Sequence, residues 1–186
     1  DYKRLGYLPE ALLNFLVRLG WSNKDQEIFS MQEMLELFDP KNINKSASAY
    51  NAEKLLWLNS EYIKSVSNER LIEELKFFDL DLSNYSKKDD ILNLSKQRAN
   101  TLIELKKSIL DIKDEPKEYE EAGVKKFIKE DTQEVLNAYI ELLENNKDKF
   151  SSVSELENIT KPFIELKGLK FPQIFQPIRL SLTGTT

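Results

Sequence analysis

Apolar residues recur at a helical period along nearly all of this 186-residue chain, and that pattern constrains its fold more than any other feature. Leu8, Leu12 and Phe15 share one face of a first segment, which Pro9 can begin and Gly20 can end. No segment shows the strict alternation that is typical of a half-buried strand. The pattern therefore predicts an all-α protein of eight or more helices.

Polar residues ahead of the apolar runs predict where helices begin. Ser30 followed by Glu33 fits a capping box, and Asn51 and Ser67 fit single N-caps. Ser86 with Asp89 fits another box, ahead of one long segment over 87–110. The remaining helices are predicted over 131–145, 154–166 and 171–182.

Two boundaries divide the chain into three predicted domains. One helix ends and another begins near Ser67, and Pro116 interrupts an acidic run. The predicted domains are 1–66, 67–117 and 118–186.

The residue types that are absent exclude several kinds of chemistry. The chain has no Cys, which removes disulfides, thiolate metal sites and cysteine nucleophiles, and no His, which removes Ser–His catalysis. No glycine-rich phosphate loop is present, and the carboxylates alternate with lysines on predicted solvent faces. No apolar run is long enough to span a membrane, and the N-terminus does not read as a signal peptide. We expect no catalytic site, metal, cofactor or membrane segment in this chain.

The chain has a net charge of −5, and its charged residues are distributed unevenly along the sequence. Residues 71–159 carry 14 basic and 21 acidic side chains, whereas residues 160–186 carry four basic and one acidic. An acidic chain with one basic segment favours a local cationic site over indiscriminate phosphate binding.

Five arginines stand beside 22 lysines, so each arginine fork is a candidate for specific recognition. Arg70 has glutamates three and four residues further on, which predicts a surface ion pair. Arg18, Arg98 and Arg179 have no carboxylate at helical spacing. For these three, pairing with an acid from elsewhere in the fold stays open as the alternative to ligand recognition.

Several blocks together resemble one enzyme family, bacterial-type glutamyl-tRNA synthetase, in the part that follows its catalytic domain. The blocks are GYLPEAL at 6–12, LGWS at 19–22, KLLWLN at 54–59, QR at 97–98, QPIR at 176–179 and LTG at 182–184. Their order and spacing cover the whole chain.

The resemblance implies a multi-helix stem-contact domain over 1–66, followed by an α-helical anticodon-binding bundle or cage over 67–117 and 118–186. It implies the tRNA-binding half of a class I glutamate–tRNA ligase, with ATP, Mg²⁺ and glutamate bound by a catalytic domain outside this sequence. The family's catalytic motifs are expected before residue 1 and its final helix after Thr186.

The resemblance also implies roles for individual residues. Arg98, Arg179 and Gln176 would bind the anticodon, while Lys45 and Lys64 would contact the tRNA stem through phosphates. Trp57 and Asn59 are interpreted as structural residues instead: Trp57 as packing and Asn59 as a buried hydrogen-bond anchor.

The implied partner is the glutamate tRNA, together with the glutamine tRNA in some family members, for a monomeric cytoplasmic enzyme. Two alternatives stay open. One is a free-standing α-helical module that binds RNA or protein, and the other is a glutamine-type synthetase relative, whose anticodon region is built from β-barrels.

Overall fold

A computed structural model of the chain describes residues 1–44 and 49–186. These residues form ten α-helices and no strand beyond one isolated bridge between Asn23 and Gln26, so the all-α prediction is confirmed. The helices are α1 Pro9–Gly20, α2 Met31–Leu37, α3 Ala52–Ser65, α4 Asn68–Lys76, α5 Lys88–Ser95, α6 Leu102–Lys113, α7 Glu121–Phe127, α8 Thr132–Asn145, α9 Val153–Lys167 and α10 Phe171–Thr183. Short 3₁₀ turns lie at Pro40–Asn42 and Lys147–Lys149.

The chain divides into two compact units, Asp1–Leu110 and Asp111–Thr186, and each is described by itself. The predicted three-domain division at residues 66 and 117 stays a prediction. None of the helices in the described part of the chain is long and apolar enough to cross a membrane.

Side-chain caps begin α2, α3 and α4 where the sequence predicts them. The Ser30 hydroxyl accepts from the Glu33 N–H at 3.1 Å, and the Glu33 carboxylate accepts from the Ser30 N–H at 2.7 Å. Asn51 and Ser67 cap α3 and α4 through their side-chain oxygens. Each cap satisfies an N–H group that the first helical turn leaves without a partner.

The prediction of one long segment over 87–110 is wrong, because a turn separates α5 from α6. Helix α5 begins without a side-chain cap, so the Ser86–Asp89 box does not form. The Thr101 hydroxyl accepts from the Glu104 N–H at 3.1 Å and starts α6 anew. A second difference is α7, a short helix that is not among the predicted ones.

The main core of the first unit is a cluster of mainly aliphatic side chains from α1, α3, α4, α5, α6 and the segments that flank them. Its fully buried members include Leu8, Leu71, Leu92 and Leu105. Helices α1 and α3 pack together around a second, smaller cluster of Phe15, Leu55 and Leu58. Burial of these apolar faces is what stabilises helices that are individually short.

The second unit is built around Tyr139, Ile164 and Ile174, which come from α8, α9 and α10. Helix α10 packs against both α7 and α8. Gly184 ends α10 with φ of 74°, and a Cβ at this position would lie 2.5 Å from the Glu118 carbonyl oxygen. Only glycine fits both this backbone conformation and this close approach.

Candidate nucleic-acid interface

Three of the five arginines form ion pairs within the fold. Arg4 lies 3.9 Å from Asp1, Arg18 lies 3.8 Å from Glu27, and Arg70 lies 2.7 Å from Glu74 as its spacing predicts. The Arg18 pair joins α1 to the loop that follows it, so helical spacing gives no sign of it. For Arg18 the structural alternative is therefore the correct one.

Arg98 and Arg179 are both exposed, and neither guanidinium has an ion pair or side-chain hydrogen bond with residues 1–44 or 49–186. An unpaired guanidinium keeps five N–H donors in a fixed planar arrangement. These two arginines are the ones that the sequence blocks single out. Arg98 belongs to the first unit and Arg179 to the second.

Arg98 lies in the turn after α5, where buried neighbours hold the backbone. Ser95 and Ala99, on either side of it, are almost completely buried, and the Arg98 N–H donates to the Ser95 carbonyl at 3.2 Å. Two residues further on, the Asn100 N–H donates to the Glu104 carboxylate at 2.8 Å. The arginine therefore projects from a backbone that is fixed at both ends.

Asn59 ties this turn to the N-terminal segment. Its side chain is fully buried, accepts from the Leu8 N–H at 2.8 Å, and donates to the Gly6 and Asn100 carbonyls at 3.2 and 2.6 Å. The Leu102 N–H also donates to the Gly6 carbonyl at 2.9 Å. The prediction that Asn59 is a buried anchor is confirmed, and Asn100, which it holds, is close to Arg98 in the same turn.

Gln176 and Arg179 lie three residues apart on α10 and so are neighbours on the helix surface. The Gln176 Oε1 atom is buried and has no hydrogen-bond partner among the described residues. Pro177, buried in the same turn, has no N–H to donate to the Gln173 carbonyl. No acidic residue occurs from Leu166 to the end of the sequence, so this helix carries only positive formal charge.

The predicted stem-contact lysines have different outcomes. Lys64, in the last turn of α3, is half-buried and lies 2.7 Å from the Glu61 carboxylate, so part of its charge is already neutralised. Lys45 lies outside the described residues. No three carboxylates among the residues that the structure describes are placed to hold a metal ion.

Trp57 does not belong to the core, in contrast to the prediction that it is packing. Its side chain is 39% exposed, and the Lys54 ammonium lies 4.0 Å from the ring centroid. Burial and the nearby Arg18 charge lower the Lys54 pKa from its ordinary value. Arg18 and Lys54 both pair with the single carboxylate of Glu27, so these three side chains together carry one net positive charge.

Comparison with known families gives this arrangement its context. A model of the anticodon-binding domain matches residues 52–186, which is well over half of the chain. The chain belongs to the anticodon-binding domain family. A second model, for the catalytic domain of class I tRNA synthetases of the glutamate and glutamine type, matches residues 1–57.

Relatives of this anticodon-binding domain carry the resemblance over its full length. The chain is 77% identical to glutamate–tRNA ligase 1 of Aliarcobacter butzleri and 50% identical to glutamate–tRNA ligase 2 of Campylobacter fetus, in each case over the whole chain. It spans about 40% of the length of these curated relatives. The resemblance to glutamyl-tRNA synthetase is therefore confirmed.

A solved structure shows the same fold. A glutamate–tRNA ligase from Elizabethkingia meningosepticum in complex with its amino acid is 30% identical, with a TM-score of 0.79. The match covers 100% of this chain and 37% of that one. The residues that the structure describes form no β-sheet, which excludes for them the β-barrel alternative of a glutamine-type relative.

Sequence reasoning missed two aromatic side chains of this anticodon-binding domain. Phe171 and Phe175 stack on α10 with ring centroids 4.8 Å apart and planes inclined by 21°. Their spacing of four residues is visible in the sequence, but it cannot show that Phe171 is left 43% exposed.

Proposed function

We propose that this chain is the tRNA-binding part of a class I glutamate–tRNA ligase, in which the helical region after residue 66 reads the anticodon. Arg98, Arg179 and Gln176 contact anticodon bases. Residues 1–66 contact the tRNA stem, with Lys45 and Lys64 on phosphates.

One observation carries this proposal. Of five arginines in a member of the anticodon-binding family, the two at the positions of the family blocks have no acid partner among the described residues. Base edges in unpaired loops are read by such forks, whereas phosphates position the nucleic acid without identifying it. The match of residues 1–57 to a synthetase catalytic-domain model supports a ligase over a free-standing interaction module.

The remaining parts of the proposal follow from the ligase family. The substrates are glutamate, ATP with Mg²⁺ and the glutamate tRNA, with the glutamine tRNA as a second partner in some family members, and the enzyme acts as a cytoplasmic monomer. ATP and glutamate bind a part of the ligase that this chain does not span. The residues of this chain bind the tRNA and orient it for the reaction.

Charging and binding assays test the proposal directly. The full-length ligase that contains this chain should attach glutamate to the glutamate tRNA in an ATP-dependent reaction. Affinity for that tRNA should fall about tenfold or more between about 50 and about 200 mM salt, because lysine–phosphate contacts release counterions. Failure to charge the tRNA, or an affinity that does not change with salt, would contradict the proposal.

A further inference from the structure

We propose that the outward face of α10 contains a stacking site for an unpaired nucleobase, formed by the exposed ring of Phe171 on the supporting ring of Phe175. This inference rests on the proposed function, since it adds a base-stacking site beside Arg179 in the same RNA interface.

The support for the site is a continuous aromatic column. Phe171 stacks on Phe175, and Phe175 makes an edge contact with Tyr139 at 6.0 Å and 76°. Tyr139 is buried, and its hydroxyl lies 2.9 Å from the Thr160 hydroxyl. The column is therefore anchored in the core of the second unit, while its outer residue, Phe171, is 43% exposed.

Helical geometry places Arg179 on the same face. Phe175 and Arg179 are four residues apart, which makes them neighbours on a helix surface, and Phe171 lies one turn before Phe175. The buried residues Ile174, Pro177 and Leu180 occupy the opposite face. The outward face thus combines two stacked rings with an arginine that has no partner among the described residues.

The charge of this surface selects the occupant. Lys167, Lys170 and Arg179 lie on or next to α10, and no acidic residue occurs between Leu166 and Thr186. An exposed aromatic ring in a cationic setting is the arrangement that binds single-stranded nucleic acid, because every base has a π-face and every nucleotide carries a phosphate. Arg179 contacts one RNA loop, and the ligand that we assign to Phe171 is an unpaired base of that same loop.

The rise of an α-helix separates two recognition points on this face. Arg179 follows Phe171 by eight positions, which corresponds to roughly 12 Å along the axis. A base stacked on the outer face of Phe171 is therefore a different base from the one that Arg179 contacts. Stacking accepts any base, so Phe171 should add affinity without adding much sequence preference.

The test uses the full-length ligase and glutamate tRNA carrying a fluorescent purine analogue at each unpaired loop position in turn. Stacking quenches this analogue, so one position should be quenched on binding wild type. Phe171→Leu should lose that quenching and bind the tRNA roughly 5- to 100-fold more weakly than wild type. Phe171→Trp should retain the quenching and the wild-type affinity. Phe77→Leu is the matched control, because Phe77 is 47% exposed in the first unit and also packs on a neighbouring phenylalanine.

The outcomes separate this inference from the proposed function. Wild-type affinity and quenching in a folded Phe171→Leu protein would overturn the stacking site, and so would an equal loss in Phe77→Leu. The proposed function would survive both results as long as wild type binds the glutamate tRNA and Arg179→Ala weakens that binding. Circular dichroism of each variant verifies that it is folded.

Discussion

At the scale of single residues, the difference between a paired and an unpaired arginine is the main evidence for function. Arg70 and Arg18 direct their donors to Glu74 and Glu27, whereas Arg98 has no such neighbour among the described residues. Spacing along the helix predicts the Arg70 pair but not the Arg18 pair, which depends on how α1 lies against the loop that contains Glu27. The sequence alone therefore leaves too many arginines as candidates for ligand recognition, and the ion pairs seen in the fold reduce the number of candidates.

A lysine at position 98 should not substitute for Arg98 in recognition of the tRNA. The lysine ammonium group keeps the positive charge but lacks the planar fork of the guanidinium group. Arg98→Lys should therefore bind the glutamate tRNA almost as weakly as Arg98→Ala, with a binding free energy about 1–3 kcal/mol less favourable than that of wild type. Equilibrium binding by the full-length ligase measures this difference. Arg70→Ala is the control and should bind normally, and full rescue by lysine would show that Arg98 contributes only charge.

Asn59 should contribute to stability far more than an exposed asparagine does. Asn59→Ala leaves the Leu8 N–H and the Asn100 carbonyl without their buried partner, which should lower the free energy of unfolding by about 3 kcal/mol. Replacement of Asn93, an exposed asparagine on α5, by alanine is the matched control and should cost about 0.5 kcal/mol or less. Denaturant unfolding compares the two variants, and equal effects would contradict the role of Asn59 as an anchor.

At the scale of helices, capping decides where elements begin, and it explains both the accurate and the failed boundaries. The predicted box of Ser30 with Glu33 forms, and Ser152 forms a further box with Glu155 that is not among the predicted ones. The long segment over 87–110 is broken because Thr101 begins a new helix inside a continuous apolar pattern. That Thr101–Glu104 pair is itself a visible capping signal, but the apolar periodicity runs through it and hides the break.

Capping by Glu155 should make α9 sensitive to acid. Hydrogen bonds from the Ser151 and Ser152 backbone N–H groups and hydroxyls lower the Glu155 pKa from its ordinary value of 4.5. Because the pKa of Glu155 is lower in the folded than in the unfolded protein, the ionised carboxylate stabilises the fold at a pH above the pKa of the unfolded state. This stabilisation is lost as the pH falls through the pKa of the folded state.

Thermal unfolding of wild type and Glu155→Gln across a range of pH tests this linkage. Glu155→Gln should melt at a lower temperature than wild type near pH 7, and the difference should shrink as the pH falls below about 4.5. Glu165→Gln is the control on the same helix, since no hydrogen bond or ion pair to its carboxylate occurs among the described residues. A difference between Glu155→Gln and wild type that stays constant with pH would contradict the capping role.

At the scale of the whole molecule, the sequence predicts the all-α class and the family, because helical periodicity and ordered blocks extend along the entire chain. It does not predict which exposed side chains cooperate. The stacking of Phe171 on Phe175 and the contact of Lys54 with Trp57 depend on rotamers and on exposure. Those quantities are set by packing against other elements, which no local pattern contains.

The central claim is that Arg98 and Arg179 read anticodon bases, and a specificity ratio tests it most directly. Two dissociation constants of the full-length ligase are measured, one for glutamate tRNA and one for the same tRNA with a substituted anticodon. The specificity ratio is the constant for the substituted tRNA divided by the constant for glutamate tRNA. Arg98→Ala and Arg179→Ala should each reduce this ratio by roughly tenfold, because each removes one base-reading fork. If both variants keep the wild-type ratio, the two arginines do not read the anticodon and the claim is wrong.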